Sequence, residues 1–273
     1  MNNLQTVTLP IKGGLNTKGI NKKGDADLPL VTIITSVWNG GESLEFAIES
    51  VLNQTYPNVE YIIIDGGSTD NTIDIIKKYE DRIDYWVSEK DRGIYDAWNK
   101  GIAAANGEWI GFIGADDICF PNAIKSMIEV VINPGNRLDY VSGRGEITLN
   151  GVVKRVDGEP WVWNKFRHYV CTAQAGALHS KLLYTEVGLY DESFKIVGDY
   201  ELLLRKGVEL KAGFTSSVTV SFALGGISNN NFNVVFETYK AQMKHSKLNR
   251  IIVIFNFLKN GSAFFFKTFL NIF

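Results

Sequence analysis

Asp116 and Asp117 stand side by side where the apolar run EWIGFIGADD (Glu108–Asp117) ends. Adjacent carboxylates after a buried strand are costly unless they bind a cation or reach solvent. Hard divalent ions such as Mg2+ or Mn2+ take oxygen ligands and commonly share one or two carboxylates with substrate phosphates. The plainer reading makes the pair an N-cap for the helix that Pro121 begins. Two more loops, Asn39-Gly40-Gly41 and Asp65-Gly66-Gly67-Ser68, follow apolar runs in the same way as Gly114-Ala115-Asp116-Asp117. Glycine lets backbone approach a ligand, and each Asp can accept from a hydroxyl or an amide. A lone Asp-Gly is mostly a turn signal; three such loops on successive strands point to a ligand cleft. His168, His179 and His245 have no zinc-type spacing. Neither a GxxxxGK[ST] phosphate loop nor a GxGxxG turn opening a helix is present.

The elements that must position these residues alternate between strand and helix. Leu30–Trp38 and Val59–Gly67 read as buried strands, Ile83–Ser88 as a third extended piece and Glu108–Asp117 as a further buried strand. Between them, Glu42–Asn53 places Leu44, Ala47, Ile48, Val51 and Leu52 at helical spacing. Ser68-Thr69-Asp70 supplies an N-cap before Ile73, Ile76 and Tyr79, and a helix is expected from about Gly93 to Ala105. From Leu138 the pattern is less regular, with helices expected at Lys181–Val187 and Asp199–Lys206 and a late strand at Val218–Leu224. This alternation is the signature of an α/β domain built on a parallel sheet with helices on its faces. In such sheets ligands gather at the carboxyl ends of the strands.

Composition sets the outer bounds. The 273 residues are 45% hydrophobic and 21% charged with net charge -2, which excludes a disordered chain. Near-neutral charge argues against nucleic acid as a partner. Cys119 and Cys171 cannot form a disulfide framework, so a reducing compartment is expected. No secretory signal and no membrane-spanning run is apparent. Charge is segregated, however: Lys240, Lys244, Lys247, Arg250, Lys259 and Lys267 meet no acid from residue 240 onward, so the -2 divides into +6 there and -8 elsewhere. Ile251, Phe255, Leu258, Phe265, Phe269 and Phe273 recur near helical spacing in this tail. A basic, aromatic-rich amphipathic helix is suited to an anionic membrane interface; the alternatives are packing on the core or pairing in a homo-oligomer.

The segments VTIITSVWNGGESLEFAIESVLNQTYPNVEYIIIDGGSTDNTIDIIKKY and SEKDRGIYDAWNKGIAAANGEWIGFIGADD together resemble family 2 glycosyltransferases. The resemblance is dense over about Pro29–Asp117 and thinner to about Gly226. It implies a GT-A fold, with a mixed, mostly parallel sheet flanked by helices. The implied layout is an N-terminal arm (1–28), a glycosyltransferase domain (29–230, divided at 117 into nucleotide-sugar and acceptor halves) and a basic helical tail (231–273). Carried over by residue, Thr35, Val37, Asn39 and Glu42 are expected to line the base and ribose pocket, with Asp65 accepting from the base above Gly66 and Ser68. Arg92, Gly93, Asn99 and Lys100 fall in the block that closes over ribose and diphosphate; Asp116 would meet ribose or sugar and Asp117 the metal, Mg2+ or Mn2+. In Val187–Arg205 the position matching the family's catalytic base is Asp199, with Glu201 as its rival and an N-cap role as the structural alternative.

These parts imply a hexosyl- or N-acetylhexosaminyl-type transferase that moves a sugar from a nucleotide-sugar donor, a UDP-sugar by preference, with inversion of the anomeric centre. A saccharide or polyprenyl-diphosphate-linked acceptor is expected, in cell-surface polysaccharide biosynthesis at the inner face of the cell membrane. Two departures stand out: Ala173-Gln174 replaces a His-Gln common in relatives, and Ala-Asp-Asp replaces Asp-Ala-Asp at residues 115–117. Trp161 and Trp163 are candidate sugar platforms or core residues. The competing functions are a nucleotidyltransferase, disfavoured because Asn39-Gly40-Gly41-Glu42 is acidic where a basic phosphate loop is needed, and a non-catalytic nucleotide-sugar-binding subunit.

Overall fold

The structure is a computed structural model; it describes residues 9–41, 43–133, 137–149, 151–223 and 231–269, the last three by backbone alone. Glu42 and Phe273 therefore lie outside the described residues, as does the side chain of Phe269. The apolar runs become parallel strands β2 (Val31–Val37), β3 (Val59–Asp65), β4 (Tyr85–Ser88) and β5 (Trp109–Phe112), following a short β1 (Ile11–Gly13). The second half adds β6 (Ile118–Cys119), β7 (Tyr140–Leu149), β8 (Val152–Asp157), β9 (Leu178–Ser180) and β10 (Ala212–Ala223). All ten form one sheet in the order β1-β4-β3-β2-β5-β9-β7-β10-β6, with β8 on β7. The strands β4, β3, β2 and β5 are parallel, and β10 is parallel to β7; β1, β6, β8 and β9 run antiparallel to their neighbours.

Alternation along the strands divides the core in two. Val31, Ile33, Val37, Tyr61 and Ile63 face helices α1 (Leu44–Leu52), α2 (Thr72–Lys78) and α4 (Ala123–Val131). Ile34, Ile62, Ile64 and Phe112 face α3 (Ile94–Ala104), α6 (Lys181–Val187) and α7 (Gly198–Lys206). Because both faces are covered, the central strands read as continuous apolar runs. A short α5 (Trp163–Phe166) buries Phe166, and Trp161 and Trp163 pack partly buried beside it.

The described residues before Pro29 lie against the sheet: β1 pairs with β4, Leu15 N–H donates to Ile83 O (3.0 Å) and Lys22 Nζ meets Asp84 Oδ2 (2.8 Å). An edge strand docks through backbone groups, so it needs no apolar period of its own. The tail is a helix pair, α8 (Asn233–His245) and α9 (Arg250–Phe269). Val235, Ala241 and Gln242 of α8 are buried, so this helix is part of the globular body.

Candidate active site

Chain order places a crevice where function was expected. The chain steps from β2 to β3 to β4, then returns to the other side of β2 as β5. The loops after β2 and β5 thus part at a topological switch point. They meet across it: a Cβ on Gly40 would lie 3.4 Å from Ala115 Cβ.

The loops after β2 and β3 are bonded into one unit. Gly66 N–H donates to Val37 O (2.8 Å), Asn39 N–H to Ser68 Oγ (2.7 Å) and Thr69 N–H to Asn39 Oδ1 (2.8 Å). Asn39 holds a left-handed backbone (φ 51), which Asn tolerates better than most residues. Asp70 accepts from Gly41 N–H (3.2 Å) and Thr72 N–H (3.0 Å), tying the first loop to the start of α2. Asp65 is wholly buried: Oδ2 accepts from Gly67 N, Ser68 N and Ser88 Oγ, and Oδ1 from Ser68 Oγ. Its carboxylate therefore shapes the loop. Thr35 and Val37 point inward, Thr35 Oγ1 accepting from the Tyr61 hydroxyl at 3.1 Å. What these two offer a ligand is the strand end and its backbone.

Asp91 lies above this floor. Its Oδ1 accepts from Gly93 N–H (2.9 Å), while its Oδ2 would sit 2.6 Å from a Cβ on Gly66. Sequence reasoning passed over this carboxylate, although it stands inside the quoted Lys90-Asp91-Arg92-Gly93 stretch. Arg92 and Lys100 both pair with Asp96 (2.9 and 3.4 Å), and they bridge to Glu192 and Glu89 respectively. Asn99 clasps the backbone of Tyr190, donating to its carbonyl and accepting from its N–H at 3.0 Å each. This block therefore fastens the two halves of the molecule together.

At the end of β5, both acids fold back over Gly114. Gly114 N–H donates to Asp117 Oδ2 (3.0 Å), and a Cβ there would lie 2.7 Å from that oxygen and 3.0 Å from Asp116 Oδ1. Only glycine leaves room for two carboxylates to converge on one point. Burial, reinforced by the neighbouring Asp116 charge, pushes the Asp117 carboxyl up to about 6. Crowded hard oxygen donors that resist holding like charge are the donor set a divalent cation relieves, so these residues fit Mg2+ or Mn2+. Among the described residues no cluster of three metal-ligating side chains exists.

Asp199 sits in the first turn of α7, half-buried, and only backbone N–H groups at that helix end meet its carboxylate; Tyr200 N–H donates to Oδ1 at 2.8 Å. Burial raises its pKa to about 6. The N-cap position itself is Val197, so Asp199 is not the capping residue.

The chain matches Glycosyl transferase family 2 over residues 32–177. It belongs to that family. An uncharacterized glycosyltransferase from Mycobacterium tuberculosis (strain H37Rv) is 33% identical over 204 residues, covering 73% of this chain and 77% of the relative. A PGL/p-HBAD biosynthesis glycosyltransferase from Mycobacterium bovis is 26% identical over 208 residues, 74% and 80% of the two chains. Solved structures with the same fold include S. aureus TarS 1-349 in complex with UDP-GlcNAc, at TM-score 0.64 and 15% identity over 82% of this chain and 69% of TarS. Mannosyltransferase PcManGT from Pyrobaculum calidifontis, in complex with GDP-Man and Mn2+, gives TM-score 0.60 and 17% identity over 82% and 68%. The GT-A architecture implied by the resemblance is the architecture found.

Within this glycosyltransferase the rival acid is otherwise committed. Glu201 is fully buried; both its oxygens accept from Arg205 Nε at 3.0 Å, and Oε1 meets His245 Nε2 at 2.8 Å. It locks α7 to α8. Trp161 and Trp163 are likewise engaged, with their ring centroids 6.4 Å apart and Trp161 against Phe166 at 4.2 Å.

Proposed function

We propose that this glycosyltransferase moves a sugar, hexosyl or N-acetylhexosaminyl, from a nucleoside-diphosphate donor to an acceptor hydroxyl with inversion. A UDP-sugar is the favoured donor, since a neighbouring fold holds UDP-GlcNAc, although another holds GDP-Man. The observation that carries the reading is the division of acids: Asp117 and Asp116 converge at the crevice, Asp199 stays uncommitted at a helix start, and Glu201 is saturated.

The bonded loops at 39–41 and 65–70, with Asp91, would cradle base and ribose. Asp117 and Asp116 would hold Mg2+ or Mn2+, which when bound offsets charge on the departing diphosphate. Asp199 would accept the proton of the acceptor hydroxyl as its oxygen bonds to the anomeric carbon and the bond from that carbon to the diphosphate breaks. A single displacement inverts the centre.

The acceptor we favour is a saccharide, free or on a polyprenyl diphosphate, in surface polysaccharide assembly at the inner face of the cell membrane. The outer face of α9 supports a membrane setting. Ile251, Ile254, Phe255, Leu258, Phe265 and Phe266 are 46–76% exposed along one side, while Val253 is buried on the other. Lys259 borders that stripe and no acid occurs beyond residue 239, which suits anionic headgroups. A symmetric pairing of two tails would set these basic residues against each other. No helix among the described residues is long and apolar enough to cross a membrane.

Calorimetric titration with UDP-sugars and GDP-sugars, with and without Mn2+, tests the donor site. Metal-dependent binding lost in Asp117→Asn supports it. Binding indifferent to both would overturn the assignment.

A further inference from the structure

The segment 191–197, which delivers the chain to Asp199, is held from both sides. On one side the donor block grips it through Asn99 on Tyr190, Arg92 on Glu192 (2.8 Å), and Lys195 Nζ donating to Arg92 O (2.8 Å). On the other side stands α8. Residues 237, 240 and 244 share one face of that helix by their spacing of three and four, and all three engage the segment. Lys244 pairs with Asp191 (3.3 Å); Lys240 Nζ donates to Ser193 Oγ (2.9 Å) and lies 4.3 Å over the Phe194 ring.

Glu237 makes the most hydrogen bonds of these grips. Its Oε1 accepts from Lys195 N–H (2.9 Å), and its Oε2 accepts from Ile196 N–H (2.9 Å) and Val197 N–H (3.1 Å). Three successive amides at the entrance of α7 thus end on one carboxylate. Helix entrances carry N–H groups with no partner inside the helix. Glu237 takes the N-cap amide of Val197 and the two amides before it, while within the helix Gly198 N–H ends on the Tyr95 hydroxyl and Tyr200 N–H on Asp199 Oδ1. Hydrogen bonds to an ionised acceptor are roughly twice as strong as neutral ones. Glu237 is also the single acid between residues 231 and 273, so it stands in an otherwise cationic and apolar segment for a specific local purpose.

We propose that Glu237 is a positioning residue for Asp199: from the tail it fixes the backbone that carries the base, so docking of α9, whose Phe257 packs on Phe236 and Tyr239 of α8, on a lipid surface is transmitted to the catalytic loop. The inference rests on Asp199 being the base, and on lipid contact by α9. The geometry makes the tail a working part of the active site. α8 has a second, separate attachment, Gln242 Nε2 donating to His168 O (2.8 Å) and the Tyr200 hydroxyl (3.1 Å). That bond reaches Tyr200, beside Asp199, but not the 195–197 amides, so exchange at those three amides separates the two attachments.

The test uses the full chain as wild type, Glu237→Gln, Glu237→Ala and Gln242→Ala, each first shown to be folded by its melting transition. Glutamine keeps one acceptor oxygen and holds the fold if alanine does not. Amide hydrogen exchange at 195–197 is expected to rise at least tenfold in the Glu237 variants and much less in Gln242→Ala. Phosphatidylglycerol vesicles should slow exchange in both α9 and 195–200 of the wild type, but in α9 alone of the Glu237 variants. With UDP-GlcNAc or GDP-mannose, whichever the wild type turns over, kcat should fall at least tenfold in Glu237→Ala while donor KM stays within twofold. Unchanged exchange at 195–197, or an equal rise there in Gln242→Ala, overturns the clamp. A vesicle effect on neither segment of the wild type overturns the lipid coupling alone, and full turnover by Asp199→Asn overturns the base assignment independently.

Discussion

The hydroxyl of Tyr95 accepts the backbone N–H of Gly198 at 2.7 Å, one residue before Asp199, and the Tyr95 ring lies so close that a Cβ on Gly198 would fall 2.7 Å from it. Tyr95 belongs to α3 and Gly198 to α7, so this contact ties α3 to the helix that bears the proposed base. Gly198→Ala should destabilise the fold by about 1–3 kcal/mol through overpacking. It should also lower kcat more than it weakens nucleotide binding. Denaturant titration beside calorimetry measures both.

Asp199→Asn should reduce kcat by about 10²–10⁴-fold, the range for losing a general base, with donor affinity retained. The pH dependence has a definite sign. Burial lifts the carboxyl to about 6, and only the deprotonated form accepts a proton. Turnover of the wild type should therefore climb as pH rises through about 6 and level off above. A flat profile between pH 5 and 7 would remove Asp199 from the role.

Asp117→Asn, or chelation of the divalent ion in the wild type, should abolish turnover and weaken diphosphate binding. Asp116→Asn should be milder, because Asp116 is exposed and Asp117 is the acid bonded to Gly114 N–H. Restoration by Mn2+ or Mg2+ after chelation, measured as release of nucleoside diphosphate, decides the point.

Glu201→Gln should behave as a stability variant. Removing one partner of a buried ion pair costs about 3–5 kcal/mol, and Arg205 beside it is itself mostly buried. A melting temperature lower by about 10 °C is expected, with kcat per folded molecule within a few-fold of wild type. A kcat collapse without loss of stability would reinstate Glu201 as the base.

His179 on β9 is buried, its Nδ1 2.8 Å from the Tyr184 hydroxyl, and burial pushes its pKa down to about 3. The unfolded chain binds a proton near 6.5 that the folded chain refuses. Stability from this group is thus complete above 6.5 and falls by about 1.4 kcal/mol per pH unit below it, toward pH 3. Denaturant midpoints at pH 7.5 and 5.5 should show the drop in the wild type and a smaller one in His179→Gln.

Much of this was legible in the residues. The strands β2, β3 and β5 announced themselves as unbroken apolar runs because helices cover both faces of the sheet. Asp116-Asp117 stood out as adjacent carboxylates at a strand end, whereas Asp199 was marked as a candidate base by the family resemblance alone. The first strand was not legible, since an edge strand joins through backbone hydrogen bonds that leave no side-chain pattern.

The amino-acid sequence by itself determined the central strands and the helices between them, that three polar loops follow those strands, and that charge is segregated into the tail. Those properties depend on neighbours within a few residues. Only the tertiary structure decided which acids are available. Asp65 is bonded within its own loop and Glu201 to Arg205 and His245, while Asp199 and Asp117 accept from the backbone N–H groups of Tyr200 and Gly114. It also brought Glu237 across 38 residues to the entrance of the helix that bears Asp199, as the spacing from 199 to 237 runs. A carboxylate's role is set by the donors around it, and those donors come from parts of the chain that only folding brings together.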